Sequence, residues 1–174
     1  GLSRWNRGGG PRTRMGRGGK YLRGIAAEDV GALLMRFTNG AMGMGVGSAW
    51  VYPKNVEETL SMSGGTGTAV MGGLAVSRVE TWNVADSAPQ EAEVAKLAGT
   101  DPKDVYGSGH NALYHNFLTA VDPHTEPLVS GTEGLKGMQI ILAAHKSQKT
   151  GKAVKFDDLQ FSTLDMTHDE VKVK

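Results

Sequence analysis

A chain of 174 residues with 39% hydrophobic and 21% charged residues is long enough for one domain with its own core. A net charge of +1 exerts no global pull toward nucleic acid or membrane, and the absence of cysteine excludes disulfides, a thiolate nucleophile and Cys-based zinc sites. No apolar run approaches the roughly 18 residues of a spanning helix, so no membrane insertion and a cytoplasmic location are expected.

The first residue is Gly rather than Met, which fits a processed or truncated fragment. Residues 1–24 carry Arg4, Arg7, Arg12, Arg14, Arg17, Lys20 and Arg23, many glycines and no acid. This composition cannot bury enough apolar surface to fold alone, and it predicts a basic arm or long loop. Within it, Arg7-Gly8-Gly9 and Arg17-Gly18-Gly19 resemble RGG segments that bind RNA through charge and guanidinium stacking, against the plainer reading of a solvated arm or inter-strand loop.

From Glu28 the texture changes to strands. Residues 29–37 and 41–51 form two runs separated by Thr38-Asn39-Gly40, and Asn39-Gly40 predicts a hairpin with a type I′ turn. In the second run Met42, Met44, Val46, Ser48 and Trp50 share one face, while Ala41, Gly43, Gly45, Gly47 and Ala49 line the other. A bare glycine face lets another backbone come close. Further strands are predicted over 56–63, 66–71 and 74–84, giving a meander of about five strands. Residues 86–107 read as a loop with a short helix around Glu91 to Leu97. A helix capped near Ser108 follows, with Leu113, Phe117, Leu118 and Val121 on one stripe. A second helix has Ser130 and Glu133 as a capping box, Lys146 and Lys149 near its end and Gly151 to close it, with Leu135, Met138, Leu142 and His145 directed at the sheet. Residues 153–156 give a last short strand, and 157–174 a polar tail, so the folded domain is expected to span 25–156.

Strands first and helices later predict an α+β fold: an open, predominantly antiparallel sheet with helices packed on one face. Both sides of the run from Val30 to Phe37 are apolar, so the other face is expected to be covered by a second copy in a homo-oligomer.

Chemistry is sparse. Dinucleotide binding needs a glycine fingerprint between a strand and a helix, and no segment fits: Gly43, Gly45 and Gly47 lie within a strand pattern and Gly64, Gly65 and Gly67 within a hairpin. His110 and His115 are turned about 140° apart on a helix and lack a third ligand at metal spacing, so no metal site is assigned. His110, at a helix start, is either a substrate hydrogen-bond donor or acid, or structural. Tyr114 and His145 read as core residues. Ser48, Ser61 and Ser63 lack a nucleophile elbow, and Glu57 and Glu58 point to opposite sides of a strand rather than forming a catalytic pair. Trp50, Tyr52 and Trp82 either stack on a sugar or pack within the sheet.

The ordered segments carry more than any one of them. Residues 28–43, from Glu28-Asp29 to Phe37, Asn39-Gly40-Ala41 and Gly43, resemble the stretch that opens the C-terminal sheet of the Gfo/Idh/MocA family of NAD(P)-dependent oxidoreductases. Val56-Glu57 through Gly64 and Gly67 is similar to the hairpin that follows it there. Gly109-His110 through Phe117, Glu126 through Gly134, Ala143 through Ser147 and Thr150 through Val154 resemble the closing helices and strand. The resemblance implies the substrate-side and oligomerisation domain of a sugar or polyol oxidoreductase. In such enzymes a separate Rossmann domain binds NAD or NADP, and a Glu-Lys-Pro motif, with an Asp and a His upstream of the sheet, assists hydride transfer. None of these elements has a counterpart here. No catalytic residue is therefore assigned, and the chain by itself is expected to be inactive and to bind no cofactor. The missing Rossmann half then belongs to a longer polypeptide or a partner chain. The substrate-binding candidates are His110, Trp50, Tyr52 and Trp82. The competing expectations are a non-enzymatic scaffold that reuses the domain, and an RNA-associated protein acting through its basic arm.

Overall fold

A computed structural model describes residues 11–25, 27–86, 94, 109–121, 125–156 and 161–165. Its elements are strands β1 (Pro11–Gly19), β2 (Val30–Phe37), β3 (Met42–Ser48), β4 (Leu60–Gly64), β5 (Gly67–Gly72), β6 (Arg78–Val84) and β7 (Val154–Lys155), and helices α1 (Gly109–Val121) and α2 (Gly131–Thr150). They fall into two compact units, one of residues 1–50 and 129–174 and one of residues 51–128.

The first unit is a four-stranded sheet in the order β3-β2-β1-β7, antiparallel throughout, with α2 against β1 and β7. Residues 11–19, expected from their Arg and Gly content to be arm or loop, are a strand inside this sheet. β1 pairs with β2 from Gly19↔Val30 to Pro11↔Phe37, and on its other side with β7 at Thr13↔Lys155 and Arg14↔Val154. Backbone pairing on two sides supplies the order that the side chains cannot.

The hairpin between β2 and β3 forms where expected, but with a different turn. Gly40 alone takes positive φ, at +87°, the Gly40 N–H donates to the Phe37 carbonyl, and the Phe37 N–H donates to the Ala41 carbonyl. This is a three-residue loop ending in a left-handed glycine rather than type I′, and the Asn39 side chain accepts from the Ala41 N–H at 3.0 Å.

Helix α2 starts and stops at the expected caps. Ser130 Oγ accepts from the Glu133 N–H, and Gly151, at φ +67°, donates its N–H to the Ser147 carbonyl. The face it presents is not the expected one. Ala143 and Ser147 are buried and Ala144 lies against β1, whereas Leu135 and Met138 are exposed and Leu142 and His145 half-buried. The cause is distance: a Cβ on Gly16 would stand 2.7 Å from the Ala144 carbonyl oxygen and 2.9 Å from its Cα, so helix and strand backbones approach too closely for large side chains.

The second unit holds the antiparallel sheet β4-β5-β6 and helix α1. The single meander expected from the sequence is thus divided, with β2 and β3 in one sheet and β4 to β6 in another. The connection over 49–59 contains Pro53, which cannot donate to a ladder. In α1, Ala120 is buried while Leu113, Phe117, Leu118 and Val121 are exposed, contrary to the half-buried stripe read from their spacing. The short helix expected near 91–97, the cap near Ser108 and most of the C-terminal tail lie outside the described residues.

Among the described residues, the buried hydrophobic side chains are Ala69, Ala120, Ala143 and Val154, none of them large. Opposite α2, the sheet of the first unit presents Met15, Leu34, Met42, Met44 and Val46 outward, with Leu34 at 53% and Met44 at 79% exposure. Registers Met15↔Leu34 and Leu34↔Met44 place three of these in one row across three strands.

Candidate functional site

Among the described residues, a concavity lies in the first unit, beside α2. It is a groove of about 480 Å³ whose floor includes Gly31, Gly45 and Gly47 and whose wall includes Ile141, His145 and Gln148. No atom lies within 4 Å of a Cβ built on Gly45 or Gly47, so this floor is open backbone. One polar pair stands at its side, with His145 Nδ1 2.9 Å from Glu28 Oε1 and both side chains partly exposed.

The end of the groove is held by Asp29, which is 2% exposed. Its carboxylate accepts the backbone N–H groups of Tyr21 at 3.0 Å, Leu22 at 2.7 Å and Arg23 at 2.7 Å. Burial pushes the carboxyl pKa up, but these three donors and the Trp50 side chain outweigh it and hold it well below the usual carboxylate range. The Arg23 guanidinium donates in turn to the Ala49 carbonyl at 2.9 Å, and Tyr21 meets Trp50 edge to face at 5.6 Å. Asp29 thereby ties the β1–β2 connection to the end of β3. Sequence reasoning gave it no role. The available signal was an Asp closing a Gly-containing loop at a strand start, where short carboxylates collect loop N–H groups.

Of the sequence-derived candidates, Trp50 is engaged by Tyr21 and Asp29 in the first unit, while Tyr52, Trp82 and His110 belong to the second. Tyr52 is 84% exposed, Trp82 half-buried opposite Ala69, and His110 exposed in the first turn of α1. His115 accepts at its carbonyl from the Thr119 hydroxyl, and its Nδ1 lies 3.3 Å from the same oxygen. The described residues contain no group of three or more metal-ligating side chains. The second RGG triplet, residues 17–19, lies in β1 within the sheet rather than in a free arm, and the first lies outside the described residues.

A nicotinamide dinucleotide requires close glycine backbone leading into a helix N-terminus. Here Gly43, Gly45 and Gly47 sit within β3, Gly64 and Gly67 flank the β4–β5 turn, and α2 opens at a Ser130 cap preceded by irregular chain. The described residues do not form that cradle.

Comparison with known proteins defines the class. The oxidoreductase-family C-terminal alpha/beta domain, GFO_IDH_MocA_C, matches residues 6–156, so the chain belongs to the Gfo/Idh/MocA oxidoreductase family through its C-terminal domain. Among solved structures, it is similar to the WlbA dehydrogenase of Bordetella pertussis, determined with NADH and UDP-GlcNAcA, at 28% identity and a TM-score of 0.77, covering 88% of this chain and 44% of that one. Levoglucosan dehydrogenase, determined with NADH and L-sorbose, shares the fold at 16% identity and a TM-score of 0.62, over 84% of this chain and 45% of that one. A probable dehydrogenase from Thermotoga maritima shares it at 18% identity and a TM-score of 0.63, over 91% and 47%. No curated protein matches. The chain thus spans less than half the length of these solved relatives, and no helix among its described residues is long and apolar enough to cross a membrane.

Proposed function

We propose that the chain is the substrate-side and oligomerisation domain of an NAD(P)-dependent sugar or polyol oxidoreductase. The observation that carries this reading is the family match over 6–156, joined to the likeness to WlbA, which was solved with NADH and a nucleotide sugar. A Rossmann half, on the same polypeptide or on a partner chain, supplies the cofactor, NAD or NADP. Alone, this chain does no hydride transfer. Its sheet contributes one wall of the substrate pocket. Tyr52 and His110, both exposed, are the candidates with free surface to meet a sugar by stacking and hydrogen bonding, with the half-buried Trp82 as a further candidate and Trp50 serving the Asp29 cluster. The outward row of Met15, Leu34 and Met44 is covered by a second copy of the chain.

The test is a fluorescence titration with NADH, run on the chain alone and on the chain joined to a Gfo/Idh/MocA Rossmann half. No saturable binding is expected in the first case, and binding with sugar-dependent reduction of NAD in the second. Saturable binding by the chain alone contradicts the proposed division of labour. A joined protein that binds NADH yet turns over no sugar or polyol favours a scaffold role.

A further inference from the structure

β3 is an edge strand: β2 pairs with one side of it, and no described strand pairs with the other. In the β2–β3 ladder the Phe37 N–H donates to the Ala41 carbonyl and the Ala49 N–H to the Asp29 carbonyl, so the odd-numbered residues between them also point their backbone groups at β2. The N–H and C=O groups of Met42, Met44, Val46 and Ser48 therefore face outward. Natural sheets blunt such an edge with charges, proline or a bulge. β3 has none of these. It reads Met-Gly-Met-Gly-Val-Gly-Ser, and its pairing with β2 runs without a register shift.

The strand is also symmetric about Gly45. Antiparallel pairing of two copies with the twofold axis at Gly45 sets Met44 opposite Val46, Gly43 opposite Gly47 and Met42 opposite Ser48. Every outward backbone group then finds a partner, giving about eight hydrogen bonds. Glycine meets glycine on the groove side, where space around Gly45 and Gly47 is open, and the apolar side chains fall together on the face that already carries Leu34 and Met15. We propose that β3 pairs with β3 of a second copy in this register, joining two four-stranded sheets into one. This contact is separate from packing over the open face, and neither requires the other.

The natural chain has no cysteine, so single substitutions report register directly. Met44→Cys mixed with Val46→Cys, and Met42→Cys mixed with Ser48→Cys, are treated with a short bis-methanethiosulfonate linker on the full chain. Both matched mixtures are expected to cross-link fastest, and the mismatched mixture of Met42→Cys with Met44→Cys slowest. Met44→Pro removes one outward N–H without touching the β2 ladder, and its expected effect is loss of the cross-link when placed on a Val46→Cys background mixed with Met44→Cys, with the circular dichroism of the chain retained. Leu34→Lys, on interior strand β2, breaks face packing only, so the cross-links persist in it. Equal yields from all mixtures, cross-linking that survives Met44→Pro, or no cross-linking in any mixture would overturn the proposal, the last also if another protein's strand occupies the edge.

Discussion

The backbone N–H of Gly16, in the middle of β1, donates at 3.0 Å to the hydroxyl oxygen of Ser147 on α2, whose proton goes to the Lys152 carbonyl at 2.7 Å. β7 pairs with β1 only at Thr13 and Arg14, so the serine takes over where the strand partner ends. Ser147 is 1% exposed. Ser147→Ala leaves a buried N–H and a C=O without that partner and is expected to cost about 1–3 kcal/mol. Urea unfolding measures it as a lower midpoint at unchanged slope.

Gly16→Ala forces a methyl against the Ala144 backbone, which cannot move as a side-chain tip can. Destabilisation of roughly 1–3 kcal/mol is expected. Gly31→Ala, whose new Cβ meets only the Arg17 carbonyl oxygen at 3.8 Å, is expected to be neutral or stabilising by up to about 1 kcal/mol. The pair of unfolding curves separates a steric requirement from a general liking for glycine.

Val76 holds φ at +52°, a region that β-branched residues rarely enter. Val76→Gly relieves this and is expected to stabilise the chain by about 1 kcal/mol, less the added freedom of the unfolded glycine. A rise in Tm checks it.

Asp29 gives a pH dependence of definite sign. Its carboxyl pKa is depressed in the folded chain, so its contribution is fully present above the ordinary Asp value near 3.9 and is lost as pH falls below that toward the folded value. Asp29→Asn is expected to lower the Tm at neutral pH and to flatten its decline below pH 4. Parallel decline in both proteins would show that other carboxylates dominate.

Much of this fold is legible from local chemistry. Asn39-Gly40 marks the β2–β3 hairpin, and Ser130 and Gly151 bound α2, because turns and caps depend on single residues with special backbone preferences. The turn type was not legible, since it depends on whether Asn39 or only Gly40 goes left-handed. β1 was hidden because its order comes from strands β2 and β7, which are distant in sequence, while its own Arg and Gly residues look like arm. The face of α2 misled for a related reason: periodicity selects Leu135 and Met138, whereas contact is made through Ala143, Ala144 and Ser147, whose small size is what permits it. The Glu28–His145 pair beside the groove joins residues far apart in the chain, and nothing local announces it.

The open face of the first sheet decides the matter most directly. Sedimentation equilibrium of the full chain is compared with that of Leu34→Lys, which sets a charge in the centre of the outward row of Met15, Leu34 and Met44. The natural chain is expected to be an oligomer and Leu34→Lys a smaller species with unchanged circular dichroism. A natural chain that stays monomeric at every concentration, or two proteins of equal mass, contradicts the claim that this surface is built to meet another molecule.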